Sequence, residues 1–147
     1  MKIKLAFLIS CFILITNCSL DSSSSSSEEE VTYIEQWHLI EVTGGIAGIS
    51  DQFDLNTIIW VFDGSNDSLT ITNNNDDDTK EDFLESGIYN YSQDELSGNS
   101  YLSINGTEYG QLELFTNGFT LDGTLLSSGP VSDGFLFSFQ RVHIIED

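Results

Sequence analysis

Positive charge is the scarcest property of this chain. Four Lys and Arg stand against 24 Asp and Glu in 147 residues, a formal charge of −20. Such a surface repels nucleic-acid phosphates and anionic lipid headgroups, so a nucleic-acid partner is excluded. Proline is nearly absent, with Pro130 alone. Only two cysteines occur, Cys11 and Cys18, too few for a disulfide framework. The longest apolar run, Leu5–Ile15, has eleven residues, short of the roughly 20 that cross a bilayer as a helix. Sustained helical periodicity is missing apart from a possible turn near Ser50–Leu55. The chemistry-bearing patterns are missing as well. No Ser/His/Asp elbow, cysteine nucleophile or phosphate-cradling glycine loop is present. His38 and His143 are the only histidines, and they are not spaced as metal ligands.

What is present begins at the N-terminus. Lys2 and Lys4 precede the apolar run, Ile15-Thr16-Asn17-Cys18 follows it, and a polar tract comes next. Charge, apolar segment and cleavage-like site in that order have the layout of an export signal. With the cysteine, they resemble a bacterial lipoprotein signal peptide, although Asn17 stands where Gly, Ala or Ser is usual. The resemblance implies that Met1–Asn17 is removed and Cys18 becomes a lipidated first residue. An ordinary secretory signal cut nearby and an uncleaved short anchor are the alternatives. Loss of residues 1–17 would discard Cys11 and leave Cys18 alone, and lipidation then accounts for an unpaired cysteine in an exported chain. Ser19 after the lipid site resembles outer-membrane sorting, with the leaflet left open.

Residues 18–30 read as a tether. Ser22–Ser27 are six serines and Glu28–Glu30 three carboxylates, a composition that stays extended and buries little. Residues 31–147 are of one-domain size. Without Met1–Asn17, Lys80 and Arg141 alone face the 24 carboxylates, and the formal charge falls from −20 to −22.

The pattern of residues 31–147 is all-β. Strand-like runs occupy Tyr33–Val42, Thr57–Asp63, Ser68–Thr72, Gly87–Ser92, Tyr101–Ile104, Gln111–Phe115, Phe119–Leu121 and Gly134–Ile145. Asp63-Gly64, Ser97-Gly98, Asn105-Gly106, Asn117-Gly118, Asp122-Gly123 and Asp133-Gly134 lie between them, and such pairs are expected to supply the positive φ of tight hairpins. Alternation places Leu69 with Ile71, Leu102 with Ile104, Phe119 with Leu121, and Phe135, Phe137 and Phe139 together on single faces. Short antiparallel strands at this spacing make a barrel or, alternatively, a β-sandwich.

Gln36-Trp37-His38-Leu39-Ile40, Gly44–Gly48, Ile59-Trp60-Val61-Phe62, Gly87-Ile88-Tyr89-Asn90-Tyr91 and Phe137–Val142 together resemble small bacterial lipocalin-like lipoproteins. The resemblance implies an eight-stranded antiparallel barrel in which Trp37 packs under Arg141 and closes one end. Glu35 departs from it, standing where the lipocalin pattern has Gly. It also implies an open mouth for a small hydrophobic ligand, with Trp60, Phe135, Phe137 and Phe139 as candidate pocket walls. For any one of these aromatics, filling a small barrel core is the favoured reading over ligand contact.

Oxygen-rich loops at Asn73–Asp78 and Asp63–Asp67 invite a Ca²⁺ reading, but adjacent carboxylates cannot all converge on one ion and the EF-hand spacing is missing. No metal site, cofactor or catalytic residue is expected. The expectation is a monomeric, lipid-anchored binding module rather than an enzyme. The alternative is a pocketless barrel that contacts envelope proteins or surface polysaccharide. Paired carboxylates of an envelope hydrolase are the third possibility, although nothing singles out a pair.

Overall fold

The computed structural model describes residues 33–145. The signal, Cys18 and the tether lie outside the described residues. Eleven strands follow one another: β1 Tyr33–Gly44, β2 Ile49–Gln52, β3 Ile58–Asp63, β4 Ser68–Asn73, β5 Gly87–Leu96, β6 Asn99–Ile104, β7 Thr107–Phe115, β8 Gly118–Asp122, β9 Leu125–Leu126, β10 Gly129–Pro130 and β11 Phe135–Ile145. Each of the eight expected runs overlaps a strand. Ser50–Leu55 does not form a helical turn: Ile49–Gln52 pairs in register with Glu41–Gly44. The ladder supplies the backbone partners that a single isolated turn would leave unmade.

The strands close into an antiparallel barrel of eight, β1-β3-β4-β5-β6-β7-β8-β11, with β11 returning to pair with β1. This settles the choice between barrel and sandwich. Closure removes the unpaired edges that an open sheet would expose. The seam runs from Tyr33↔Ile145 to Gly44↔Phe135, broken by one bulge between Leu39 and Glu41. Ile40 is the extra residue, and it resets the alternation so that Leu39 and Val42, both wholly buried, face the same core. On its other side β1 pairs first with β3 at Trp37↔Trp60 and then with β2. The ninth strand, β2, is therefore an addition outside the ring.

The core is the barrel interior. Leu39, Val42, Ile58, Trp60, Leu69, Ile71, Leu102, Ile104, Phe119, Leu121, Phe137 and Phe139 are all buried there. These are the inward members of the alternating strands, and closure is what lets every strand bury the same face. Aromatic rings fill the centre. Trp60 lies 4.7 Å from Phe139, and Phe139 stacks on Phe119 at 4.4 Å between ring centres.

The hairpin signals divide by mechanism. Ser97-Gly98 and Asn105-Gly106 have positive φ at both residues, as two-residue primed turns require. In the other four pairs the glycine does not adopt positive φ. At Gly118, Gly123 and Gly134 the missing side chain serves close backbone approach instead: a Cβ on Gly118 would strike the Phe139 carbonyl, and one on Gly134 would strike Gly123.

Candidate functional site

The two ends of the barrel differ. Toward the end of β11, Arg141 lies over Trp37, 4.8 Å from the guanidinium carbon to the ring centre. Trp37 in turn meets Phe119 edge-on at 5.0 Å. Glu35 Oε1 stands 3.1 Å from Arg141 Nε, an ion pair without an aligned hydrogen bond, and 3.6 Å from His143 Nε2. The departure from the lipocalin pattern at Glu35 thus has a physical role. On β1 it shares the face of Trp37 and supplies the counter-charge to the cation resting on that ring.

Beside this cluster is a half-open recess of about 170 Å³. Trp37, Phe62, Tyr91, Leu102, Leu112 and Phe119 form its apolar wall, and Glu35 and Gln93 its polar lining. A dry apolar cavity of about 150 Å³ suffices for a benzene-sized molecule. The recess therefore has room for a single ring or a short alkyl chain. Burial raises the pKa of the Tyr91 phenol, and the charges of Asp67 and Asp63 add to the effect, so the wall presents a neutral hydroxyl at physiological pH.

Toward the start of β11 the interior is occupied. The connection between β4 and β5 folds over this end and inserts Phe83. Its ring is 4.1 Å from Phe137, 4.8 Å from Tyr109 and 5.3 Å from Trp60, nearly parallel to the last. Phe83 is half-buried and has φ +75°, an outlier for a bulky side chain. Polar contacts hold the loop in place. Lys80 Nζ donates to the Gln52 carbonyl at 2.7 Å and sits 5.1 Å over the Phe53 ring. The Glu81 N–H donates to Asp51 Oδ2 at 3.0 Å, and Asn75 Nδ2 to Asp82 Oδ2 at 3.0 Å.

Of the four aromatics singled out from sequence, none lines the recess. Trp60, Phe137 and Phe139 fill the barrel centre, whereas Phe135 is half-buried at the rim beside Gly45. Trp60 carries an anomaly, because its buried Nε1–H has no acceptor. The residues that sequence reasoning missed are Glu35 as a partner of Arg141, Phe83 and Lys80. Phe83-Leu84 is an apolar pair inside the acidic run Asp76–Glu85, and that interruption was the available signal.

Histidine and carboxylates are engaged locally. His38 is buried on the outer side of β1, where Nδ1 accepts from the Asn56 N–H at 2.9 Å. The ring proton is thereby assigned to Nε2, 3.2 Å from Gln36 Oε1, and burial lowers the pKa. Asp63 accepts from the Ser65 N–H and the Asn66 side chain, and Asp77 accepts from Thr79. These bonds favour the ionised forms and lower both pKa values. The two acidic loops thus close their own turns. Among the described residues, no three His, Cys, Asp or Glu side chains converge as metal ligands. A depression of about 690 Å³ between Ile40, Phe53 and Asp77 is open and mostly polar, outside the barrel.

No protein-family model, curated protein or solved structure matches this chain.

Proposed function

We propose that the chain is a lipid-anchored lipoprotein of the bacterial cell envelope whose lipocalin-like barrel binds a small hydrophobic molecule. The observation that carries the binding reading is the apolar recess beside Trp37, a concave site with few, well-placed polar groups. The anchor rests on the order of charge, apolar run and Cys18, with residues 18–30 as spacer and the outer membrane as destination. The strong acidity of residues 31–147 suits a domain held away from anionic headgroups. Binding is the chemistry proposed, and the local partners of His38, a backbone amide and Gln36, suit a structural place for that ring.

Two experiments test this. Replacing Cys18→Ala is expected to abolish labelling by radioactive palmitate and to move the protein from the membrane to the soluble fraction. Persistent labelling would remove the anchor. For binding, the full chain in mild detergent is titrated with octanol while tryptophan emission is followed. A ligand of this size is expected to bind with a dissociation constant on the order of 10–100 µM. Leu112→Trp, which fills the recess, should weaken it at least tenfold, and an equal response from both proteins would eliminate the recess as the site.

A second reading is favoured by one observation at the same end. Leu96, Leu114 and Phe115, at or beside hairpin tips, are each about half exposed, as an apolar contact surface for another envelope component would be.

A further inference from the structure

We propose that Phe83 is a displaceable plug. Its ring holds, at the end of the barrel opposite the recess, the place of a flat uncharged aromatic ligand, and the loop of residues 74–86 is the gate. The inference rests on the reading of the barrel as a binding module and adds a second position with its own chemistry.

Three independent observations support it. The first is the surroundings of the ring. Trp60 lies nearly parallel to it, Phe137 is tilted beneath it and Tyr109 meets it edge-on. These are the arrangements in which π-systems attract one another, so the walls suit any flat aromatic and not Phe83 alone. The second is backbone strain. A phenylalanine at φ +75° is held in a conformation its side chain disfavours, which lowers the barrier to leaving relative to a relaxed insertion. The third is the way the loop is attached. Asp76, Asp77, Asp78, Glu81, Asp82 and Glu85 crowd it with like charge, and Lys80 is the single cation that ties it down, through the Gln52 carbonyl and the Phe53 ring. Apart from the Phe83 and Leu84 side chains, what holds this segment is polar and near the surface, the low-stability kind of contact from which gates are drawn. Departure of the ring would leave an aromatic-walled opening above Trp60, whose Nε1–H lacks an acceptor in the closed state.

The neutral fluorophore N-phenyl-1-naphthylamine is the probe, because an anionic dye would be repelled by the acidic barrel. The full chain in mild detergent is titrated, and energy transfer from Trp37 and Trp60 separates protein-bound from micelle-bound probe. Phe83→Ala is expected to bind at least tenfold more tightly than the unaltered chain. Lys80→Met, which keeps the ring, should raise the association rate roughly fivefold by populating the open loop. Probe saturation should increase hydrogen exchange in residues 74–86 of the unaltered chain. Equal affinity with and without the Phe83 ring would overturn the plug. So would binding only in Phe83→Ala, which makes the ring a permanent core residue. Should Phe83→Ala not fold, an unchanged association rate in Lys80→Met overturns the gate on its own. Octanol binding that Leu112→Trp blocks, together with probe affinity indifferent to Phe83, removes the plug and leaves the binding module standing. Failure of every variant to bind either molecule removes both.

Discussion

Trp60→Ala is expected to destabilise the barrel by about 3–5 kcal/mol, the range for emptying a large aromatic from a packed core. Trp60 is wholly buried at the middle of the interior and contacts Phe62, Phe83 and Phe139 within 6.1 Å between ring centres. Those rings belong to β3, to the β4–β5 loop and to β11, so no single element can shift inward to refill the hole. A closed barrel collapses less readily than an open sheet, because moving one wall strains the ladder on both sides. A domain of this kind has a total stability of about 5–15 kcal/mol. The variant should therefore unfold at a markedly lower denaturant concentration, with an unchanged dependence on denaturant.

Trp60→Phe separates volume from polarity at the same position. The indole Nε1–H is buried without an acceptor, and an unsatisfied buried donor costs about 1–3 kcal/mol. Phenylalanine removes that donor while keeping most of the ring contacts. The three ring atoms lost cost packing, the removed donor offsets part of that, and the net cost is expected to stay under about 2 kcal/mol. Chemical denaturation of both variants tests the argument. Equal losses would mean that the centre tolerates a void, and that its aromatic cluster is not what holds the barrel.

The parts legible in the sequence were those governed by local periodicity. Leu69 with Ile71, Leu102 with Ile104 and Phe119 with Leu121 alternate because one face of each strand is buried, and all six are in the core. What was not legible depends on contacts distant along the chain. β2 has four residues and a half-exposed pattern, so nothing within Ile49–Gln52 announces a strand until Glu41–Gly44 lies beside it. The β9–β10 hairpin is of the same kind; Ser127 docks it by donating to the Glu108 carboxylate on β7. Phe83 was hidden by its neighbours, since an acidic run reads as a solvated loop. Glu35 was visible only as a departure from a pattern, because its partner Arg141 lies across the closing seam. Positive φ was correctly expected at Gly98 and Gly106, whereas Gly64, Gly118, Gly123 and Gly134 mark turns without it. An Asp-Gly pair signals a turn, but whether the glycine supplies positive φ or room for a crossing backbone depends on what lies opposite.

Gly110 combines both demands, and Gly110→Ala should show the second large effect. It sits in β7 beside the bulge at which the register with β6 shifts, has φ +149°, and is buried. A Cβ there would strike the Asp122 carbonyl oxygen, with the Asp122 carbonyl carbon at 2.6 Å and the Gly123 nitrogen at 2.8 Å. All three are backbone atoms, which cannot rotate aside as a side-chain tip would. Asp122 is also committed locally, since its carboxylate accepts from the Thr124 N–H at 2.8 Å and from the Thr124 hydroxyl at 2.6 Å. Relief requires β8 to move away from β7, and that movement disturbs Leu112↔Leu121 next along the ladder. Backbone strain of about 1–3 kcal/mol and overpacking of a similar size give an expected loss of about 2–6 kcal/mol. Gly98→Ala is the matched control. It has φ +84° but nothing within 4 Å of a Cβ, so only the backbone term of about 1–2 kcal/mol remains. Denaturant midpoints of the two variants measure the difference directly. If Gly98→Ala proved as damaging as Gly110→Ala, positive φ alone would explain both, and the close approach of β8 would contribute nothing. With the larger loss at Gly110, the crossing of β7 and β8 is fixed by absence of a side chain, and Tyr109, the wall of the Phe83 position, is set by the same bulge.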